Sequence, residues 1–267
     1  MSDDPLLCRP VPLRRAFFLA PLALGTATML AALGGCGGGG SGDFDGDDDD
    51  DDDSHEDEPR LRFVNATQDY RRLDISLDGE SRPVIEGLAW GGGSTGYDWL
   101  SDGRHNFRMV SRDPSGEITG SERFSDRTYY SALAYGPRGD NARLLFLEES
   151  EPAPDNDETK IRALHLASPN GTLDLYLTAP ELTDLTGVNP VLSGLQYSQL
   201  GTFLRRDAER MALHLTAAGS KTPLFRVTFA PAGGSVLTLV LLRRDDRLNV
   251  TALPQRQAAH PLDNQLP

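Results

Sequence analysis

Ser94 lies in Gly92-Gly93-Ser94-Thr95-Gly96, which matches the G-x-S-x-G pattern of a serine nucleophile, and His105, His165 and His214 supply imidazoles to act as its base. That chemistry needs the serine on a sharp turn with a strand before it and a helix after it. The next residues, Tyr97-Asp98-Trp99-Leu100-Ser101-Asp102-Gly103, give a strand-and-turn signal with no helical period. A Ser94-dependent hydrolase is therefore the least favoured reading. The three histidines are far apart and lack H-x-H or H-x-x-H spacing, which argues against zinc. Asp43, Asp45 and Asp47 have the first, third and fifth positions of an EF-hand loop. Asp48 stands where glycine is needed, however, and Ser54 where the bidentate Glu belongs. No metal and no cofactor is expected. Trp90, Trp99, Tyr97, Tyr129, Tyr130 and Tyr135 would suit an aromatic face for glycans or peptides, although domain cores use the same residues.

The remaining reactive side chain is a thiol. Cys36 ends the run Leu33-Gly34-Gly35-Cys36, after an apolar stretch from Ala16 to Leu33 and after Arg9, Arg14 and Arg15. A basic n-region, an apolar h-region and small residues at the cleavage point make a secretory signal. Together these residues resemble the lipobox of a bacterial lipoprotein. The resemblance implies cleavage between Gly35 and Cys36, acylation of Cys36 and attachment to a membrane through that lipid. Two or more acyl chains anchor stably where one does not. An uncleaved transmembrane anchor is the alternative, weakened by Pro21, Gly25, Thr26 and Thr28. Arg14-Arg15-Ala16-Phe17-Phe18 also resembles a twin-arginine signal, so export by Sec or by Tat stays open. Gly37, rather than Asp, after the cysteine resembles outer-membrane sorting.

With Cys8 in the leader and Cys36 acylated, the mature chain has no thiol left for a disulfide, so a hydrophobic core must stabilise it. The formal charge of −14 is concentrated in one place. Residues 37–58 carry twelve acidic side chains and no Lys or Arg, and residues 1–35 carry a net +1, which leaves −3 for residues 59–267. A body so close to neutral supports neither nucleic-acid binding nor an acidic partner surface. The Gly-rich and Asp-rich stretch cannot bury apolar surface and is expected to be a disordered acidic spacer. Its 22 residues reach at most roughly 75 Å when fully extended.

The body carries an internal repeat. Leu61-Arg62-Phe63-Val64-Asn65-Ala66-Thr67 and Leu73-Asp74-Ile75-Ser76-Leu77 recur as Arg162-Ala163-Leu164-His165-Leu166-Ala167-Ser168 and Leu173-Asp174-Leu175-Tyr176-Leu177. Gly87-Leu88-Ala89-Trp90 recurs as Gly194-Leu195-Gln196-Tyr197, His105–Val110 as Met211–Leu215, and Thr128–Tyr135 as Ser235–Leu242. Asp74 and Asp174 hold equivalent places, as a polar site, a solvent-facing strand position or a turn hydrogen bond. Apolar alternation over about five residues, broken by Gly, Pro, Asn and Asp, predicts half-buried strands. Many such strands without a helical period predict β-sandwiches. Pro180–Leu185 is expected to form a single helical turn.

The run from Val64 to Gly79 resembles the opening of the domain of unknown function 4397 family, whose members begin with a strand, a His-Ala-Ser-Pro-like turn and an alternating strand. Ala167-Ser168-Pro169 with Leu173–Leu177 resembles it more closely. Asn65 replaces the usual His, and the second copy reads as one residue shorter between turn and Asp. The resemblance implies surface or secreted proteins, often lipoproteins, with sandwich-like domains in tandem, and it carries no catalytic residues.

The expected architecture is all-β: two tandem antiparallel β-sandwich (immunoglobulin-like) domains after a disordered acidic linker. Its parts are a signal peptide (1–35), a linker (36–59), a first repeat (60–150), a connector (151–159), a second repeat (160–256) and a flexible tail (257–267). The expected role is non-enzymatic binding or adhesion in the cell envelope, with lipid on Cys36 and with an envelope protein or a glycan as partner. A structural or assembly lipoprotein with a stable protein partner is the alternative.

Overall fold

Along Gly103–Arg112, His105, Phe107, Met109 and Ser111 are buried while Arg104, Asn106 and Arg108 are exposed. This is the period of two that sends successive strand side chains to opposite faces. The computed structural model describes residues 57–91, 96–139, 141–167 and 171–266. The expected leader, Gly35 and Cys36, the acidic stretch up to residue 56 and Ser94 lie outside the described residues. Those described fall within one unit, Asp52–Pro267.

The first half contains β1 (Arg60–Thr67), β2 (Arg72–Leu77), β3 (Ile85–Ala89), β4 (Asp98–Trp99), β5 (Gly103–Arg112), β6 (Ser115–Phe124), β7 (Tyr129–Gly136) and β8 (Arg143–Glu148). They form two sheets, ordered β4-β1-β7-β8 and β3-β2-β5-β6. The second half contains β9 (Glu158–His165), β10 (Leu173–Thr178), β11 (Leu192–Leu195), β12 (Leu204–Asp207), β13 (Met211–Ala217), β14 (Pro223–Phe229), β15 (Val236–Arg244) and β16 (Arg247–Pro254). Its sheets, β12-β9-β15-β16 and β11-β10-β13-β14, repeat the first half strand for strand, and β17 (His260–Leu262) extends the former. The all-β tandem sandwich is therefore the observed fold. No helix occurs among the described residues.

Each half closes its own core. Leu61, Phe63, Leu73, Ile75, Phe107, Met109 and Phe124 fill the first, and Ile161, Leu173, Leu175, Leu213, Phe225, Leu239 and Val250 fill the second. Two pairings depart from the antiparallel rule: β1 runs parallel to β7, and β9 runs parallel to β15. These four strands are buried on both faces for much of their length, as the central strands of covered sheets are. Their outward side chains, joined by Leu147 of β8, Leu253 of β16 and Leu166 just past β9, make a third core. Val64, Ala66, Leu133 and Leu147 of one sandwich meet Leu164, Leu166, Val240, Leu242 and Leu253 of the other.

This seam joins equivalent faces. Arg62 lies opposite Ser131, and Arg162 lies opposite Thr238, so Val64 corresponds to Leu164, Ala66 to Leu166 and Leu133 to Val240. The arrangement is that of an isologous dimer held within one chain. The Gly-Leu-x-aromatic elements serve it from both sides. Tyr197 packs its ring 6.2 Å from Tyr135 of the first half, and the Arg244 guanidinium of the second half lies 4.9 Å over the Trp90 ring. Thr251 adds a hydrogen bond to the Gly91 carbonyl at 3.0 Å.

Three expectations are corrected. The structural register pairs Arg62 with Arg162 rather than Leu61 with Arg162. With Asn65 thereby set on His165, turn and Asp are equally spaced in both copies. Strands buried on both faces lack the alternation that would have fixed this register. Pro180–Leu185 forms a turn closed by the Leu182 amide on the Ala179 carbonyl at 3.1 Å, not a helix. A single turn cannot repay helix nucleation, and burial of Leu185 holds it in place. Within the final segment (257–267), expected to be flexible, His260–Leu262 forms strand β17, with Leu262 opposite Val250 and packed against the second core.

The seam makes both sandwiches unfold together. Calorimetry is expected to show one cooperative transition, and Leu133→Ala to lower its stability by about 2–5 kcal/mol. Two separate wild-type transitions would refute the coupling.

Candidate functional site at the seam of the two sandwiches

The three histidines are engaged by neighbouring backbone or side-chain groups. His105 Nδ1 lies 2.6 Å from Asp78, and its Nε2 lies 2.9 Å from the Ser101 carbonyl. His214 Nε2 is 3.1 Å from Thr178 Oγ1. His165 donates from Nε2 to the Gly171 carbonyl at 2.8 Å and accepts the Ala167 amide at Nδ1, 3.2 Å. Asn65 does the same work in the first half: Oδ1 accepts the Thr67 amide at 3.2 Å, and Nδ2 donates to the Tyr70 carbonyl at 3.0 Å. Asparagine and neutral histidine each offer one donor and one acceptor at matching reach, which explains the exchange noted in the sequence.

Asp74 and Asp174 are turn anchors. Asp74 accepts the Gly87 amide at 2.8 Å, and Asp174 accepts the Gly194 amide at 2.7 Å. Both glycines have φ near +65°, at 66° and 64°, a conformation in which a side chain is strained. The Asp–Gly pair thus sets the irregular register between β2 and β3 and between β10 and β11. Among the described residues no group of His, Cys, Asp and Glu is arranged to hold a metal ion.

Sequence reasoning missed the most deeply buried charged group among the described residues. Arg62 is fully buried on the seam face of β1. Its Nε donates to Ser131 Oγ at 2.6 Å, and its Nη2 donates to Glu149 Oε1 at 2.7 Å. From the second sandwich, the carbonyls of Pro254 and Gln257 accept from Nη1 at 3.1 and 2.6 Å. Glu149 also accepts from the hydroxyls of Ser131 and Tyr97. Burial, and then the negative charge of Glu149, push the Tyr97 hydroxyl far above its ordinary range, so it remains a donor. The signal available was an arginine inside an apolar run, repeated as Arg162. Arg162 keeps the counterpart of the serine bond, to Thr238 at 2.9 Å, its guanidinium carbon lies 4.3 Å from the Phe203 ring centroid, and burial lowers its pKa.

Directly above this network, a row of rings and guanidinium groups reaches the surface. Arg60 pairs with Trp99 on one side and Tyr129 on the other across β4, β1 and β7. Its guanidinium carbon lies 4.1 Å from the Trp99 ring centroid and 5.9 Å from that of Tyr129. Arg256, from the second sandwich, stacks over Tyr129 at 5.0 Å, and Tyr97 meets Tyr129 edge to face at 5.0 Å. Trp99 is 41% exposed. Of the aromatics expected to form either a binding face or core, Tyr130 lies in the first core and Trp90 and Tyr135 border the seam core. Tyr97, Trp99 and Tyr129 gather at this edge.

Residues 59–176 match the family described as Domain of unknown function (DUF4397). That segment of the chain is similar to the DUF4397 family. The DUF4397 match covers the first sandwich and ends in β10 of the second, so it includes Arg62, Glu149, Asn65 and His165. No curated protein matches the chain. Two solved structures similar to it are both described for streptococcal virulence factors. One, "Alpha-glucan binding by a streptococcal virulence factor", shares 9% identity at a TM-score of 0.25, covering 72% of this chain and 96% of the other. The second, on alpha-glucan recognition by family 41 carbohydrate-binding modules, shares 10% identity at a TM-score of 0.23, covering 71% and 95%.

The seam and the turns lead to two expected outcomes. Arg62→Met leaves Glu149 as an uncompensated buried charge and is expected to cost about 3–5 kcal/mol, read by urea denaturation. The double variant with Glu149→Gln should recover part of that loss, and simple additivity of the two would disprove the coupling. Burial holds the pKa of His165 and His214 below the usual 6.5. The unfolded chain therefore binds more protons, and stability falls as pH drops below about 6.5. His165→Asn should keep the fold and shrink that acid-side loss, whereas an unchanged pH profile would remove His165 from this linkage.

Proposed function

We propose that this chain is a non-enzymatic binding protein of the bacterial cell envelope, anchored by lipid on Cys36. Its fused sandwiches carry a binding edge at Trp99, Arg60, Tyr129 and Arg256. Residues 36–59 act as the acidic spacer between lipid and body, with export by Sec or Tat and outer-membrane placement.

The observation that carries the reading is the alternating row of rings and guanidinium groups. Ring faces stack on sugar rings, and guanidinium groups donate several hydrogen bonds to carboxylates or sulfates. A glycan bearing acidic groups meets both demands. Because Tyr129 and Arg60 come from one sandwich and Arg256 from the other, the seam pre-organises the edge, and little ordering entropy is left to oppose binding.

The chain has only two tryptophans, Trp90 and Trp99, so fluorescence reports the edge directly. Titration with polygalacturonate or hyaluronate is expected to shift emission in the wild type, with dextran inert. Trp99→Ala should abolish the shift and Arg60→Ala weaken binding about tenfold or more. No shift with any acidic polymer would overturn the glycan assignment. The anchor is tested separately: chain expressed with its own leader should gain an acyl mass and sediment with outer membrane, and Cys36→Ser should do neither.

A further inference from the structure

The two sandwiches share one topology but differ at one edge. In the second, the C-terminal segment fills the groove between the outer edges of β14 and β16. Strand β17 pairs with β16, setting Leu262 opposite Val250 and His260 opposite Ala252. Past it, Asn264 Oδ1 accepts the Arg226 amide at 3.1 Å, and the Gln265 amide donates to the Arg226 carbonyl at 2.7 Å. Gln265 Oε1 accepts the Thr228 amide at 3.0 Å. A single short segment thus covers the apolar edge of one sheet and the backbone edge of the other.

The repeat places each of these residues in the first sandwich. The registers β7–β8 and β15–β16 set Leu144 on Val250 and Phe146 on Ala252, and the registers β5–β6 and β13–β14 set Thr119 on Arg226 and Ser121 on Thr228. These residues line a surface cleft between β6 and β8. Among the described strands, β6 pairs only with β5, and β8 only with β7. Val250 and Ala252 are buried in the second core, against which Leu262 of the tail also packs, whereas Leu144 and Phe146 remain half-buried against the first. Leu144 leans over Gly120, where an added Cβ would come within 3.0 Å of it. It closes the core beneath the cleft and leaves its outer side open.

We propose that the groove between β6 and β8 is a strand-addition site that accepts an extended peptide from a partner protein. An apolar residue of that peptide rests on Leu144 and Phe146, and side-chain amides beyond it reach Thr119 and Ser121. The chain's own tail fills the equivalent groove in this manner. Main-chain pairing with an exposed sheet edge supplies affinity, and alternate side chains supply selectivity. A second copy's tail is the weaker occupant, because withdrawing it would cost the donor its β16–β17 pairing, the packing of Leu262 on the second core and the hydrogen bonds to β14. This site is separate from the Trp99 edge and does not depend on the glycan reading.

The test uses isotope-labelled chain spanning residues 37–267 and, as probe, a synthetic peptide of residues 259–267. Amide shifts confined to β6 and β8, saturating below about 1 mM peptide, are expected. The same peptide carrying Leu262→Glu should bind at least tenfold more weakly, and so should the chain variant Leu144→Glu, whose unfolding transition verifies that it folds. If Leu144→Glu unfolds the protein, Thr119→Pro on the β6 edge replaces it. Absence of shifts, or shifts confined to β14 and β16, would overturn the proposal. Concentration-dependent dimerisation that shifts the same amides without peptide would also overturn it, assigning the groove to a second copy.

Discussion

Two-sided burial of β1, β7, β9 and β15 is the constraint on which the rest of the structure depends. A sandwich needs only one face of each sheet to be apolar, yet here Val64, Leu133, Leu164 and Val240 point away from their own cores. Left uncovered, these side chains would form an exposed apolar patch on each half. Packing equivalent face against equivalent face removes both patches at once. It also explains why the parallel pairs lie at the seam, since parallel ladders are found where both faces are covered.

The seam creates the conditions for its own polar exception. Placing Arg62 among these side chains removes a guanidinium from water, which is tolerated only with a counter-charge and satisfied donors. Glu149, Ser131 and two carbonyls of the second sandwich provide them. The charge pair therefore makes the seam selective: a sliding or alternative packing would leave Arg62 unsatisfied. The ring-and-guanidinium edge above it inherits that rigidity, because Arg256 belongs to the chain segment that Arg62 grips at Pro254 and Gln257.

Sheet edges are handled differently in the two halves, and that difference is the main asymmetry of a repeated fold. Unpaired edges attract other strands unless covered, shortened or charged. The second half covers its edge with the C-terminal segment, whereas β8 of the first is flanked by Arg143 and Glu148 with three half-buried apolar residues between them. Identical topology with unequal coverage gives one finished surface and one available for pairing.

Much of this was legible in the residues. Alternation placed strands such as Leu73–Leu77 and located the repeat, the Asp run separated the charge from the body, and Asp74 with Gly87 foreshadowed a turn bond. These are local properties: period, composition and backbone preference act over a few residues. The register of β1 against β9 was not legible, because strands buried on both faces lack alternation. Arg62 finds its partners 69, 87 and 192 residues away, and Leu262 finds Val250 only after β16 is in place. Sequence by itself determined which segments become strands and which side each residue can face; tertiary structure alone decided which faces meet, because strand periodicity says nothing about the neighbour across the gap.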